Sequence, residues 1–209
     1  MKIIIDNTLR IKNPTKEILN YCKSELEIDN PQYIQNQYLG FSTYKIPKKL
    51  RWFEKREEDI IIPFGCLNKI YSMYPYKENY RMLIPKAKEV KYKSNIKLYD
   101  YQENAKNKAL KAKNGVIVMA AGSGKTQTAL QLIAELGVKT LWLTHTMDLL
   151  NQSYSRAKDN FDNIKISKIA SGKIDIAENI TFATVQTLSK VDLSQYKNEF
   201  DCIIVDERT

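Results

Sequence analysis

The segment AAGSGKT at residues 120–126 combines the residue types that bind phosphate groups. Gly122 and Gly124 can adopt backbone conformations that bulkier residues resist, so successive N–H groups can turn toward one point and form a site for an anion. Lys125 would place a mobile ammonium group on the β- and γ-phosphates of a nucleotide, and the hydroxyl of Thr126 would be a ligand of Mg²⁺. These residues therefore predict a phosphate-binding loop.

The sequence on either side of this loop predicts the elements that such a loop requires. VIVM at residues 116–119 is a short apolar run that predicts a buried strand, and QTALQLIAEL at residues 127–136 predicts an amphipathic helix. A helix that begins near Lys125 would point the positive end of its dipole at the phosphates, and Ser123 would also contact them. The full pattern of such loops begins with a glycine, and this chain has Met119 at that position.

A second candidate feature is the acidic pair Asp206 and Glu207, which follows the apolar run CIIV. In open parallel sheets, ligands bind at the carboxyl-terminal ends of the strands. There Asp206 could hold Mg²⁺ through water, and Glu207 could orient and deprotonate the attacking water. Predicted strands and helices alternate between the loop and the acidic pair, which favours a parallel sheet with β-α-β crossovers. The predicted strands lie at residues 139–144, 165–169 and 180–184, and the main predicted helix lies at 147–161.

The composition of the whole chain restricts the functions that remain. A formal net charge of +9 on 209 residues favours a polyanionic partner. The single histidine, His145, excludes histidine-cluster metal sites and most triad chemistry, and we expect it to be structural. Three widely spaced cysteines argue against a disulfide framework and favour a reducing, cytoplasmic location. No apolar stretch approaches the roughly 18 residues of a membrane helix, so we expect a soluble protein without a membrane partner.

The excess charge is concentrated in the first part of the chain. Residues 1–95 contain 18 Lys+Arg and 11 Asp+Glu, whereas residues 96–209 contain 15 and 13. Nine of the 13 tyrosines also lie in the first part, and five of the seven glycines lie in the second. We therefore predict a boundary near residues 86–96, with a small basic module at 1–92 and a nucleotide-binding domain at 96–209.

The first module has the sequence pattern of a small α+β fold. Two short strands should surround a turn at Asp6, a helix should begin near Pro14, and a short helix should occupy residues 66–74. The aromatic and β-branched runs at residues 38–46 and 50–65 predict further strands. Such a module can hold phosphates with Lys and Arg and stack bases on Tyr rings. The alternative is that the tyrosines form a half-buried core and the lysines a solvated face.

Five segments resemble, in order and spacing, the motifs of the first RecA-like domain of superfamily 2 helicases of the DEAD/DEAH-box type. The module before them, with NPQY and PFG, is similar to the N-terminal module of UvsW-type and XPB-like DNA helicases. The resemblance implies an α/β fold, with a RecA-like P-loop parallel sheet preceded by the small α+β module. The five segments are LYDYQ (98–102), MAAGSGKT (119–126), LTHTMDLLNQ (143–152), ITFATVQTL (180–188) and IIVDE (203–207).

The resemblance also implies roles for individual residues. The chain would bind ATP with Mg²⁺ and would act on DNA, with RNA as a possible partner. Gln102 would contact the adenine edge, because its amide offers one donor and one acceptor, and Leu98 or Tyr101 would pack against the base. Lys125 and Glu207 would be catalytic. The residues that would fall on the surface tracking one nucleic-acid strand are Thr144, Gln152, Thr184, Gln186 and Thr187.

The chain departs from the family pattern after the acidic pair. Arg208 and Thr209 stand where the family has a small residue and an acid or histidine, and the sequence then stops. We therefore expect an incomplete first helicase domain, truncated after the acidic motif, and a C-terminal RecA-like domain in the intact protein. These residues alone would then be inactive, and whether they form an enzyme stays open.

Two other functions are compatible with a phosphate-binding loop. One is a short, non-catalytic nucleic-acid-binding protein with a vestigial nucleotide site. The other is a P-loop kinase for a small molecule, which would carry an arginine-rich lid. After residue 96 the chain has only Arg156 and Arg208, so the kinase is disfavoured.

Overall fold

The computed structural model describes residues 1–83, 87–169, 174–196 and 198–206. Glu207, which the sequence analysis proposes as the catalytic base, lies outside these residues. The chain divides into two compact units, Met1–Ile84 (unit 1) and Pro85–Thr209 (unit 2). None of the helices in the described ranges has the length and apolar character to cross a lipid bilayer.

Unit 1 is built around a five-stranded sheet. The strands of unit 1 are β1 (Lys2–Ile5), β2 (Thr8–Lys12), β3 (Glu27–Asp29), β4 (Lys49–Arg51), β5 (Glu54–Arg56), β6 (Asp59–Pro63) and β7 (Tyr80–Met82). The order in the main sheet is β5-β6-β2-β1-β7, and β3 pairs with β4 separately. The predicted hairpin of β1 and β2 is confirmed, and the Asp6 carboxylate closes its turn by accepting a hydrogen bond from the Thr8 N–H at 2.8 Å.

The helices of unit 1 are α1 (Lys16–Glu25), α2 (Pro31–Tyr38) and α3 (Leu67–Met73). Helix α1 begins after Thr15, whose hydroxyl accepts from the Ile18 N–H, so it starts slightly later than the predicted position at Pro14. Ile18 and Cys22 of α1 pack against alternating apolar residues of β1, β2 and β6. The alternation of buried and exposed residues in these strands is what a sheet with one covered face requires. The predicted helix at 66–74 is confirmed as α3.

The segment between β3 and β4 differs from the prediction. We expect a strand at residues 38–46, but the structure has α2 followed by a loop that continues to β4. Asn30 caps α2 by accepting from the Gln32 N–H at 3.0 Å, and Pro31 occupies the first helical position, where no N–H is needed. No residue of α2 is buried. Local capping therefore decides this helix, while none of the described strands pairs with the aromatic residues after it.

Unit 2 has the predicted parallel sheet, and this confirms the α/β fold class. Its strands are β8 (Thr140–Thr144), β9 (Ile166–Ile169), β10 (Ile180–Thr184) and β11 (Cys202–Asp206). They lie in the order β11-β8-β10-β9, and every neighbouring pair is parallel. The helices are α4 (Asp100–Ala112), α5 (Lys125–Leu136), α6 (Met147–Asn160) and α7 (Val185–Leu188). The core between helices and sheet contains Trp142 and Phe182, both fully buried.

Residues 87–96, where the sequence analysis predicts the module boundary, belong to unit 2. Tyr92 anchors this segment, because its hydroxyl donates to the backbone carbonyl of Val138 at 2.8 Å and lies 3.0 Å from that of Asn179. Its ring packs against Phe161 with centroids 5.6 Å apart. Burial of this side chain raises the pKa of Tyr92 above its ordinary value. Tyr92 and backbone bonds such as that from the Val90 N–H to the Gly137 carbonyl at 2.8 Å thus hold this segment to the second unit.

The predicted strand at residues 116–119 is not formed. Residues 115–120 have no secondary structure, and Val116 and Val118 are each 90% exposed. Strand β11 is at the edge of the sheet, and it leaves Ile203 and Val205 more than half exposed. A strand exists only through hydrogen bonds to a neighbour. Among the described strands, none pairs with residues 116–119, so this apolar run does not form a strand.

Candidate functional site

The glycine-rich loop ends at Gly124, and α5 begins at the next residue, as predicted. Gly122 and Gly124 have φ values of 76° and 80°, in the left-handed region that other residues rarely occupy. A Cβ atom at Gly124 would lie 2.3 Å from Nε2 of Gln102. The first N–H groups of α5 have no partner within the helix and can donate hydrogen bonds to an anion at this end. The loop therefore has the backbone geometry of a phosphate site.

Gln102 of α4 positions this loop. Its side chain is 2% exposed, and its Oε1 accepts a hydrogen bond from the Tyr99 N–H at 2.9 Å. Its Nε2 donates to the backbone carbonyl of Ser123 at 2.8 Å, and the Tyr101 hydroxyl donates to the same carbonyl at 3.0 Å. The amide that the sequence analysis assigns to adenine is thus engaged with the protein backbone. Contact between Gln102 and adenine stays a prediction.

A buried lysine ties α4 to α5 and so supports the Gln102 contact. The side chain of Lys106 is 6% exposed and forms ion pairs with Glu103 of the same helix and Glu135 of α5. Burial alone would lower the pKa of Lys106, but its hydrogen bonds to the two carboxylates outweigh this effect and raise it. Loss of one carboxylate would leave the buried ammonium group of Lys106 with less compensating negative charge, which is unfavourable. The ion pairs therefore help to hold α4 against α5.

The carboxylate of Asp206 lies at the carboxyl end of β11 and meets the loop. The Thr126 hydroxyl donates to its Oδ2 at 3.3 Å, and the Ser153 hydroxyl of α6 donates to the same oxygen at 3.2 Å. Thr126 and Ser153 are both buried. The structure therefore brings together the two residues that the sequence analysis assigns to Mg²⁺. One carboxylate and one hydroxyl fit this ion, which prefers hard oxygen ligands and keeps several waters.

A cavity of about 300 Å³ opens in front of the loop. Lys125 reaches into this region, and its Nζ donates to the backbone carbonyl of Met119 at 3.1 Å. Helix α6 forms another wall with Leu149, Gln152 and Arg156. The sequence analysis missed Arg156 and Ser153. Residues three and four apart share one helix face, so the spacing of 149, 152, 153 and 156 is the signal that could have found them.

The predicted nucleic-acid residues separate into two groups. Thr144 and Thr184 are buried, whereas the sequence analysis expects them on a surface, and their contact with nucleic acid stays a prediction. The Thr144 hydroxyl donates to the Thr146 carbonyl at 3.0 Å, and the Thr184 hydroxyl accepts from the Thr187 N–H at 3.1 Å, so both close turns at strand ends. Gln186 is exposed and Thr187 is half-buried, while Gln152 is exposed and lines the cavity.

The strand register explains why these positions share one edge of the sheet. Thr144 of β8 is paired with Thr184 of β10 and with Asp206 of β11, so the three residues lie in one row. In a parallel sheet, this row is the carboxyl-terminal edge, where ligands bind. The motif residues thus converge at the edge that the sequence predicts, although the hydroxyls of Thr144 and Thr184 form hydrogen bonds with backbone groups.

Known proteins share this region of the chain. Residues 95–208 match the family model "Type III restriction enzyme, res subunit". Over 115 residues the chain is 35% identical to the DNA 3'-5' translocase XPB2 of Sulfurisphaera tokodaii, covering 55% of this chain and 26% of that protein. A protein of Acanthamoeba polyphaga mimivirus that is named as an ATP-dependent RNA helicase is 27% identical, covering 91% of this chain and 36% of that protein.

The fold has a counterpart among solved structures. The crystal structure of the UvsW helicase from bacteriophage T4 aligns with a TM-score of 0.67 and 17% identity, covering 99% of this chain and 82% of that chain. This likeness confirms the predicted α/β fold with a RecA-like parallel sheet. The chain spans between about a quarter and about a third of the length of the two curated relatives.

Proposed function

The chain belongs to the family of the type III restriction enzyme res subunit and is of the superfamily 2 helicase type; from this premise we propose that it binds ATP with Mg²⁺. We further propose that it contributes this site to a helicase or translocase that acts on DNA. One relative is named as a DNA translocase and another as an RNA helicase. The DNA-translocase relative has the higher identity, so DNA is the first partner to test and RNA the second.

The observation that carries the proposal is the contact of Thr126 with Asp206. These residues are 80 positions apart in the chain, yet their side chains share a hydrogen bond at 3.3 Å beside the glycine-rich loop. A loop that only turned the chain from one element to the next would not require a carboxylate from a distant strand at its mouth. The pair supports a site where a phosphate-bound metal ion would sit.

Each residue of the site would have a separate task. The left-handed glycines Gly122 and Gly124 would let the loop N–H groups surround the phosphates. Lys125 would exchange the Met119 carbonyl for a phosphate oxygen. Thr126 and Asp206 would hold Mg²⁺, which when bound offsets phosphate charge.

Two residues extend this site. Arg156, which lines the same cavity from α6, would add a second positive charge near the phosphates. We propose Glu207, next to Asp206, as the base that orients the attacking water. Gln152, Gln186 and Thr187 remain proposed contacts for the nucleic-acid backbone.

We expect slow ATP hydrolysis from these 209 residues alone. Superfamily 2 helicases close their nucleotide site between two RecA-like domains, and charge from the second domain can be worth roughly 10³–10⁵ in rate in related nucleotidases. Unit 2 provides one parallel sheet of this kind among the described residues. Binding of nucleotide is therefore a more direct test of the site than turnover.

The test is equilibrium binding of a fluorescent ATP analogue with and without Mg²⁺. Lys125→Ala should weaken binding roughly 30-fold, because a hydrogen bond between charged groups is worth about 2 kcal/mol. Arg156→Ala should weaken it less, roughly 2-fold to 5-fold, since this side chain is partly exposed to solvent. Lys111→Ala is the matched control, because Lys111 is an exposed lysine of α4 that does not line the cavity.

Equal affinity of Lys125→Ala and the unmodified chain would contradict the proposal. If the chain bound labelled DNA but no nucleotide, and Mg-ATP did not change the DNA affinity, the non-catalytic nucleic-acid-binding alternative would replace it. A titration of the same labelled DNA with and without Mg-ATP decides between the two functions.

A further inference from the structure

An unusual surface of unit 1 lies away from the glycine-rich loop in sequence. Residues 30–52, here called the aromatic lobe, comprise α2, the loop that follows it, β4 and Trp52. The lobe follows β3 in the chain, and its own strand β4 pairs with β3 in a two-stranded sheet separate from the five-stranded sheet. Helix α2 has no buried residue, so the lobe is not folded around an apolar core of its own.

Polar contacts, and not apolar burial, keep the lobe in shape. The Asn30 side chain donates to the Pro47 carbonyl at 2.8 Å, and the Asn30 N–H donates to the Lys48 carbonyl at 2.9 Å. Within the lobe, the Asn36 carbonyl accepts from the Phe41 N–H at 2.8 Å. These bonds fix the backbone on both sides of the turn. The aromatic rings of the turn take no part in these hydrogen bonds.

Three aromatic rings of the lobe are largely exposed to solvent, although aromatic side chains are more stable when buried. Tyr38 is 89% exposed, Tyr44 is 81% exposed and Phe41 is 64% exposed. Leaving large apolar side chains in water forfeits the stabilisation that burial would give. Contiguous exposed apolar groups on a soluble domain indicate an interaction site. The position of three such rings within seven residues makes this the strongest candidate surface in unit 1.

The charge of the lobe identifies the kind of partner. Residues 30–52 contain three lysines and one arginine but no aspartate or glutamate. Lys45 lies 5.6 Å from the ring centre of Tyr44, and Lys48 lies 5.9 Å from that of Tyr33. Lys49 and Arg51 instead pair with Glu27. Positive charge and open ring faces are thus neighbours, which suits a partner that carries both negative charge and flat apolar surfaces.

We propose that the aromatic lobe binds single-stranded nucleic acid, with Tyr38, Phe41 and Tyr44 stacking on unpaired bases and Lys45 and Lys48 contacting phosphates. Unpaired strands offer base faces to aromatic rings, whereas the bases of a duplex are already stacked on one another. This inference deepens the nucleic-acid part of the proposed function, on which it rests, but it does not depend on the nucleotide site.

The test uses the full chain and a fluorescein-labelled oligothymidylate, followed by fluorescence anisotropy. Replacement of one ring, as in Tyr38→Ala or Tyr44→Ala, should weaken binding roughly 10-fold, and the triple variant with Phe41→Ala should weaken it more. Tyr44→Trp should retain binding because it keeps a ring. Tyr76→Ala is the matched control, since Tyr76 is a half-exposed tyrosine of unit 1 outside the lobe.

Salt dependence separates the roles of the rings and the lysines. The variant Lys45→Ala/Lys48→Ala should reduce the slope of log affinity against log salt by about 0.7 for each lost phosphate contact. The ring variants should keep the slope and lose affinity at every salt concentration. Because all these side chains are exposed, circular dichroism and thermal unfolding should match those of the unmodified chain.

The inference is overturned if the triple ring variant binds oligothymidylate as well as the unmodified chain does. It is also overturned if a duplex of the same length or polyaspartate binds equally well, because stacking on unpaired bases would then contribute nothing. Failure of the proposed function looks different. In that case Lys125→Ala leaves the affinity for the fluorescent nucleotide unchanged, while the ring variants still bind oligothymidylate more weakly than the unmodified chain does.

Discussion

In unit 2 the residues of the candidate site converge on one edge of the sheet, whereas in unit 1 the candidate binding residues are spread over a surface. In unit 2 the strand register brings Asp206 to the edge of the sheet, where Thr126 and Ser153 bind its carboxylate. In unit 1 the aromatic and basic side chains of the lobe lie on the surface, and α2 buries none of its residues. A convergent site depends on a few special backbone positions, whereas a dispersed surface divides its binding among many contacts. One substitution should therefore disable the first and only weaken the second.

Gly124→Ala should produce the largest effect and should be confined to the nucleotide site. The φ of 80° disfavours a side chain, and the new Cβ would collide with the Gln102 amide that holds Ser123. Strain of roughly 1–3 kcal/mol and displacement of the loop should reduce affinity for the fluorescent ATP analogue on the order of 100-fold. Titration of the nucleotide measures this loss, and oligothymidylate binding by the same variant should be unchanged.

Gly115→Ala is the matched control for this glycine. A Cβ atom at Gly115 would meet nothing within 4 Å, and its φ does not lie in the left-handed region. Nucleotide affinity of Gly115→Ala should equal that of the unmodified chain. If Gly124→Ala behaved in the same way, the loop would not need its left-handed conformation, and the contrast between the two units would fail.

Local sequence signals account for the parts of the fold that were predicted correctly. Helix α5 directly follows a left-handed glycine, and the apolar runs of β8, β10 and β11 alternate with helical patterns. These signals lie within a few residues of the elements that they specify. The parallel sheet of unit 2 follows from their alternation. The hairpin of β1 and β2 is likewise determined by one short turn at Asp6.

The errors come from information that is not local. An apolar run such as residues 116–119 becomes a strand only if another strand offers its edge, and no pattern inside the run reports this. Gln102 bonds with Ser123 across 21 positions of the chain, so its engagement with the loop could not be inferred from the motif alone. The burial of Thr144 follows from its place between two neighbouring strands. Helix α2 was missed although Asn30 and Pro31 are a usual start for a helix.

Lys106→Met should have an intermediate effect, on stability more than on binding. The ammonium group is buried between Glu103 and Glu135, but both carboxylates are nearly half exposed, so solvent reduces the cost of separating them. We expect a loss of about 1–2 kcal/mol in the free energy of unfolding of unit 2. Because the cluster holds α4, which carries Gln102, nucleotide affinity should fall by a few-fold. Chemical denaturation and nucleotide titration measure the two effects.

Lys165→Met provides the control for burial. Lys165 pairs with Glu178 at 2.6 Å, but these side chains are 71% and 59% exposed. An exposed pair contributes between zero and about 1 kcal/mol, so this variant should unfold almost as the unmodified chain does. Equal losses for Lys106→Met and Lys165→Met would mean that burial of Lys106 does not matter for holding α4 against α5.

The smallest predicted effect concerns acid pH and unit 1. Hydrogen bonds from Lys49 and then Arg51 hold the pKa of Glu27 below its ordinary value. A carboxyl whose pKa is lower in the folded state stabilises that state above its unfolded pKa, and the contribution is lost as pH falls through the folded pKa. Acidification should therefore loosen β3 and β4 at the base of the aromatic lobe. Amide hydrogen exchange of these strands measures the change.

Glu27→Gln supplies the reference, because it keeps the shape of the side chain and removes its charge. At neutral pH, amides of β3 and β4 should exchange faster in Glu27→Gln than in the unmodified chain, and below the lowered pKa of Glu27 the two should exchange alike. Comparison at the same pH cancels the intrinsic pH dependence of exchange. A difference that persisted in acid would show that the charge of Glu27 does not hold the lobe. The lobe would then depend on its backbone bonds alone, such as the 2.9 Å bond from the Asn30 N–H to the Lys48 carbonyl.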